Sequence, residues 1–169
     1  MKKNIRKVAM ASVLAALICV ATMVIKVPTP LKGYANLGDC VVLVAGWLLP
    51  PGYGFLAAGI GSGLADVFSG YAIYAPATFV IKGLMALACF FLRKCIKGKG
   101  KKELPALIIG GFVAEVIMVA GYYVFEGFMY GWGASLVNIP ANAVQGIIGL
   151  VAGVTISTQL LKIKGLQTD

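Results

Sequence analysis

The chain has 169 residues, of which 60% are hydrophobic and only 12% charged, and its mean hydropathy is +0.91. A soluble domain carries about 45–50% apolar and about 25% charged residues; one core of this size cannot hide the excess, so much of the apolar surface faces lipid and a soluble domain is excluded. The net charge of +9 does not describe a nucleic-acid surface, because the basic residues fall between hydrophobic runs and not along one amphipathic face.

In chain order, Lys2, Lys3, Arg6 and Lys7 precede an apolar run that resembles a signal peptide. It continues to Val27, beyond the length of a signal-peptide core, and is read as the first span, 8–27. Pro28 and Pro30, which lack amide donors and fix φ, end it. A loop through Tyr34 and Asn36 follows. A short second span, 39–49, closes at Pro50-Pro51-Gly52, and a third covers 53–69. A turn with Tyr71 and Tyr74 leads into the fourth, 75–92. The basic segment Arg93–Glu103 separates it from the fifth, 104–124, and the loop Phe125–Gly133 from the sixth, 134–161. The expected fold is an all-α integral membrane protein, one domain over 1–169 with six transmembrane helices.

The second span is too short to cross a core about 30 Å thick at about 1.5 Å per residue, so it is either a short crossing screened by neighbours or a re-entrant segment. Six crossings put twelve of the fifteen basic residues on one side: the N-terminal four, the cluster from Arg93 to Lys102, and Lys162 with Lys164. Lys26 and Lys32 fall on the other side and Lys82 within the fourth span. The asymmetry follows the positive-inside rule with both termini cytoplasmic; five crossings would break it.

Polar groups inside spans are costly, and their positions carry the functional information. Asp39 and Asp66 are expected near the outer surface, with Lys82 about 10 Å in by helical rise. Glu115 lies at similar depth, with Tyr122 and Tyr123 above it, and Asn138, Asn142 and Gln145 share one stripe of the last span. The ring suits a polar organic ligand; the bland alternative makes Lys82 and Glu115 a structural ion pair and Tyr71 and Tyr74 an aromatic belt. Ala11 and Ala15, with Ser12 and Ala16 beside them, and the glycines of the third span suit close helix packing, within the monomer or with a partner. Cys19, Cys40, Cys89 and Cys95 lack metal-binding spacing, histidine is absent, and no phosphate-binding GK[ST] loop occurs, which argues against metal, nucleophile–histidine and ATP chemistry.

The order of Asn36-Leu37-Gly38-Asp39, Ala65-Asp66, Ser69-Gly70-Tyr71, Tyr74-Ala75-Pro76-Ala77-Thr78-Phe79, Lys82-Gly83 and Asn138 to Gln145 resembles the substrate-binding S components of energy-coupling factor (ECF) transporters over nearly the whole chain. The resemblance implies a multi-pass protein of the bacterial plasma membrane that is no enzyme and holds no cofactor or metal. Its small-molecule ligand would sit near the outer face, bound mainly by the last three helices and covered by the loop Thr29–Gly38. Candidate ligand residues are Tyr34, Asn36, Asp39, Asp66, Tyr74, Lys82, Glu115, Tyr122, Asn138, Asn142 and Gln145. Ala11, Ser12, Ala15 and Ala16 would dock on a separate transmembrane coupling protein, and two ATPase subunits would use ATP. Riboflavin, pyridoxine-like compounds and thiamine precursors are the expected ligand classes. A self-sufficient secondary transporter or channel and a ligand-free membrane assembly protein remain the alternatives.

Overall fold

The computed structural model describes residues 2–28, 34–97 and 103–163. In chain order it contains α1 (Lys2–Val24), β1 (Lys26–Pro28), β2 (Tyr34–Asn36), α2 (Gly38–Leu48), α3 (Pro51–Phe68), α4 (Ala75–Lys97), α5 (Glu103–Tyr130), the single turn α6 (Trp132–Ser135) and α7 (Ile139–Leu160). Five long helices and the shorter α2 are therefore present among the described residues, six in all besides the single turn α6. Among the described residues, four apolar stretches are long enough to cross a membrane: Asn4–Val24, Ala75–Ile96, Glu103–Tyr130 and Trp132–Leu160.

Successive helices alternate in direction, as their end contacts show. Lys26, after α1, donates to Ser69 at the end of α3, and Tyr74, before α4, donates to Glu126 near the end of α5. At the opposite end, Arg93 of α4 donates to Glu103 at the start of α5. The bundle thus has a hairpin end, where β1 and β2 lie, and a basic end. Its outer surface is apolar: Val20, Phe68, Phe112, Ile147 and Val151 are each more than half exposed. A water-soluble monomer does not present such a belt.

The short α2 is the centre of the molecule. Its 11 residues span only about 16 Å, and Asp39, Val42, Leu43 and Trp47 are almost completely buried. Packed against α1, α3, α4 and α7, it needs neither the length nor the coat of a lipid-facing helix, which favours the screened crossing over the re-entrant segment. The Asn36 carboxamide starts it by accepting from Gly38 N at 2.8 Å, an Asx-type turn. Pro50 and Pro51 end it, and Pro51 is preorganised as the first residue of α3.

Five features differ from expectation. The N-terminal basic residues belong to α1, and α4 runs past Leu92 to Lys97, because Lys and Arg are good helix formers and hydropathy locates the lipid, not the helix end. The expected loop Phe125–Gly133 is mostly helix: α5 continues to Tyr130 and stops at Gly131, whose φ of +95° suits glycine. The sixth span is interrupted, with a 3-10 turn at Leu136–Asn138 before α7, which restarts with Pro140 in its first turn. The outer loop is in part an antiparallel pair of strands, with Lys26 opposite Asn36 and Pro28 opposite Tyr34. The rest of the expected cap, residues 29–33 with Lys32, lies outside the described residues, as do Lys99, Lys101, Lys102 and Lys164.

Close helix approach depends on missing side chains. A Cβ at Gly61 of α3 would strike the Ala15 carbonyl oxygen of α1, and one at Gly149 of α7 would lie 2.8 Å from Asp39 Cβ and 3.0 Å from Glu115 Oε1. Gly149→Val is expected to destabilise the bundle by about 1–3 kcal/mol, seen as a lower melting midpoint in detergent; an unchanged midpoint contradicts this packing.

Candidate functional site

Two polar clusters occupy the interior. The deeper one joins α2, α4 and α7. Lys82, 2% exposed, forms an ion pair with Asp39, which is 0% exposed. The other Asp39 oxygen accepts from Gln145 Nε2 at 2.5 Å. Gln145 Oε1 in turn accepts from the Asn36 backbone N–H of β2 at 2.8 Å. Lys82 Nζ also lies 5.5 Å from the centre of the Tyr122 ring, close enough for a cation–π contribution. The structural ion pair of Lys82 with Glu115, the bland alternative, is not formed, and Asp39, expected near the outer surface, is fully buried. Asp39 lies in the first turn of α2, most of which is enclosed, and its carboxylate meets Lys82 there. Asp66 is buried too, at 5% exposure, because β2 covers it.

Glu115 stands beside this cluster. Its carboxylate lies under Gly146 and Gly149 of α7, and neither oxygen has a hydrogen-bond partner among the described residues. Beside it, an apolar groove of about 410 Å³ runs between α5 and α7, bordered by Phe112, Val119, Ile147 and Leu150.

The second cluster lies at the hairpin end and surrounds a cavity. β2 contributes Tyr34 and Asn36, α3 contributes Asp66, and Tyr71 comes from the following turn. Tyr74 comes from just before α4 and Thr78 from its first turn, Tyr122 and Glu126 from α5, and Asn142 from α7. Tyr34 Oη donates to Asp66 Oδ1 at 2.6 Å, and its ring meets Tyr71 at 4.8 Å between centroids. Burial, then the Asp66 charge, push the Tyr34 phenol above its ordinary pKa, so it stays an O–H donor at neutral pH. Glu126 Oε1 accepts from Asn138 Nδ2 at 2.8 Å and from Tyr74 Oη at 3.3 Å. Thr78 and Tyr122 share a hydroxyl hydrogen bond of 3.0 Å. With β2 in place the cavity is about 30 Å³, room for roughly one water.

A family model for the ECF-type riboflavin transporter S component matches residues 2–162. The chain belongs to this S-component family. A thiamine precursor transporter, HmpT, of Lactococcus lactis subsp. cremoris is 26% identical over 157 residues, 92% of this chain and 87% of that protein. An uncharacterised protein of Pyrococcus woesei is 31% identical over 137 residues, 80% and 88% of the two chains. Among solved structures, the S component of a bacterial ECF transporter superposes with a TM-score of 0.71 at 23% identity, covering 94% of this chain and 97% of that one. The S component for biotin from an ECF-type ABC transporter gives 0.71 at 19% identity, with 98% and 95% coverage. At these identities the two structures support the fold alone.

In this S component the eleven expected ligand residues divide between the clusters. Tyr34, Asn36, Asp66, Tyr74, Tyr122 and Asn142 border the cavity; Asn138 stands behind it on Glu126. Asp39, Lys82 and Gln145 form the cluster below, linked to the cap through Asn36. Glu115 belongs with neither by hydrogen bonding. Tyr71, Thr78 and Glu126 are additions. Thr78 is legible in retrospect, since Tyr74, Thr78 and Lys82 recur every four residues on α4; Glu126 was hidden by reading its segment as a loop.

The small residues of α1 border a groove of about 650 Å³ formed with Tyr53, Leu56 and Ile60 of α3. Ala11 and Ala15 are half-buried, whereas Ser12 and Ala16 are exposed. Of the four long apolar stretches, the one in α1 buries the smallest share of its residues, 11%, which leaves this face open.

Proposed function

We propose that this S component is the high-affinity substrate-binding subunit of an ECF-type ABC importer in the bacterial plasma membrane. The hairpin end faces outward and both termini face the cytoplasm, in keeping with the basic residues collected at the other end. The cavity between β2 and the ends of α3, α4, α5 and α7 takes up a water-soluble vitamin or precursor, of the riboflavin, pyridoxine-like or thiamine-precursor class. β1 and β2 form part of the cap that retains it. A separate transmembrane coupling protein docks on the α1 face, and two ATPase subunits supply the energy for inward delivery.

The observation that carries this reading is the convergence of buried and half-buried polar groups from six different segments on one cavity beneath a strand cap. Lipid does not tolerate such groups without partners, and a purely structural network would not need carboxylate oxygens left open. Native mass spectrometry of the gently purified protein is expected to show a small molecule bound in equimolar amount without ATP. Asn142→Ala is expected to weaken its retention by about tenfold, the scale of removing one buried hydrogen bond; unchanged retention removes Asn142 from the site. A carrier working alone on a proton gradient is the competing reading, and the unpartnered Glu115 is what favours it. Uptake into liposomes by this chain without partner subunits would decide for that carrier.

A further inference from the structure

The hairpin-end cavity is unbalanced in its chemistry. Asp66 and Glu126 both face it, at 5% and 3% exposure, and Asp66 Oδ2 and Glu126 Oε2 have no hydrogen-bond partner among the described residues. No lysine or arginine borders it among those residues. Lys82 does not line it and is paired with Asp39, 5.5 Å from the centre of the Tyr122 ring. Lys26 lies outside, donating to Ser69 Oγ at 2.9 Å and sitting 5.7 Å from the Tyr34 ring centre. Four tyrosines, Tyr34, Tyr71, Tyr74 and Tyr122, line the cavity together with Asn36, Thr78 and Asn142; aromatic side chains pack well against a flat ring or a cation.

Two buried carboxylates with open oxygens, in a cavity whose lining includes no cation among the described residues and whose nearest lysine, Lys82, is already paired with Asp39, disfavour an anion and leave acceptors unsatisfied. A ligand that supplies N–H donors and positive charge removes both penalties through charge-assisted hydrogen bonds. Resting on the proposed substrate-binding role, we infer that the ligand is a small aromatic ring compound bearing an amino group, of the aminopyrimidine or aminomethylpyridine kind, recognised by Asp66 and Glu126. The tyrosines enclose its ring, and the carboxylates discriminate against neutral and anionic analogues.

The same geometry assigns a second task to Tyr34. In the closed, nearly filled cavity its phenol O–H occupies Asp66 Oδ1, the place of a ligand donor. Entry of the ligand displaces this hydrogen bond and with it the inward seating of β2. Tyr34 is therefore a surrogate donor that keeps Asp66 partly satisfied while the site is empty.

The test is equilibrium binding to the purified full-length chain in nanodiscs, with each compound offered separately. The amine-bearing probes are pyridoxamine and 4-amino-5-hydroxymethyl-2-methylpyrimidine; pyridoxine and riboflavin are neutral, and 4-pyridoxate is anionic. An amine-bearing probe is expected to bind at least about tenfold more tightly than the neutral and anionic ones, and Asp66→Asn to weaken it by about tenfold or more while narrowing that preference. Tyr34→Phe, which carries little folding risk, is expected to tighten amine binding several-fold by releasing Asp66. Tightest binding of riboflavin, pyridoxine or 4-pyridoxate overturns the inference but leaves the substrate-binding role standing. Weaker or unchanged amine binding by Tyr34→Phe overturns the surrogate-donor role. If no probe binds and no small molecule accompanies the purified protein, the inference and the substrate-binding role fall together.

Discussion

Replacing Lys82 with methionine is expected to cost the ligand-free protein about 3–5 kcal/mol of stability, the largest effect of any single change in the polar interior. Methionine keeps the length and apolar stem of the side chain, so packing is largely preserved. What disappears is the cation facing Asp39, a carboxylate with 0% exposure at the start of the central helix. Gln145 still donates to the other Asp39 oxygen, but a neutral amide does not compensate a charge in a medium of low polarity. Glu115, also unpartnered by hydrogen bonds, lies close by across Gly149 and adds to the imbalance. The melting midpoint of the purified chain checks the prediction. In a double-mutant comparison, adding Asp39→Asn to Lys82→Met is expected to restore part of the stability, because the uncompensated carboxylate is gone. A Lys82→Met protein that melts with the native one would show that this pair does not hold the centre of the bundle together.

Enlarging Ser12 and Ala16 together to tryptophan is expected to abolish uptake by the assembled transporter while leaving ligand affinity of the isolated chain within about twofold. Both residues are exposed on the α1 face and line the groove shared with α3, remote from the hairpin-end cavity. Small residues let a second helix approach closely in lipid, where packing and not hydrophobic burial drives association; two indoles hold it off. Ala11 and Ala15 are poorer targets. Both pack partly inward, and the Ala15 carbonyl oxygen lies where a Cβ on Gly61 would collide, so enlarging Ala15 disturbs the bundle itself. Normal uptake by Ser12→Trp/Ala16→Trp would exclude this face as the docking surface for the coupling protein. Weakened ligand binding in the isolated variant would instead show that α1 supports the site.

The deeper ion pair and the hairpin-end cavity are coupled by one strand. Asn36 offers its backbone N–H to Gln145 and its carboxamide to Gly38, while Tyr34, two residues earlier, reaches Asp66. Movement of β2 away from the cavity therefore also strips a partner from Gln145, which itself orients Asp39. This gives the proposed cap a physical link to the centre of the bundle, since neither end of the strand is released independently.

Composition, the spacing of apolar runs and the distribution of basic residues together determined that the chain lies in a membrane as a bundle of six helices, because transfer to lipid depends on each segment's own hydropathy and flanking charge. The polar stripe of Asn138, Asn142 and Gln145 and the inward placement of Lys82 were legible for the same reason: an amide or ammonium on a lipid-facing surface has nothing to bond. Partner choice was not. Lys82 pairs with Asp39 and not with Glu115 because the short α2 is packed among its neighbours with Asp39 fully buried, a fact of packing that no local window contains. Glu126 joined the site only because α5 continues through a segment whose Glu and Gly read as loop, and its burial depends on Asn138 and Tyr74 meeting it from other helices. Hydropathy selects the solvent for each segment, whereas the pairings among charged side chains are set by how helices distant in sequence come together, and that the tertiary structure alone decided.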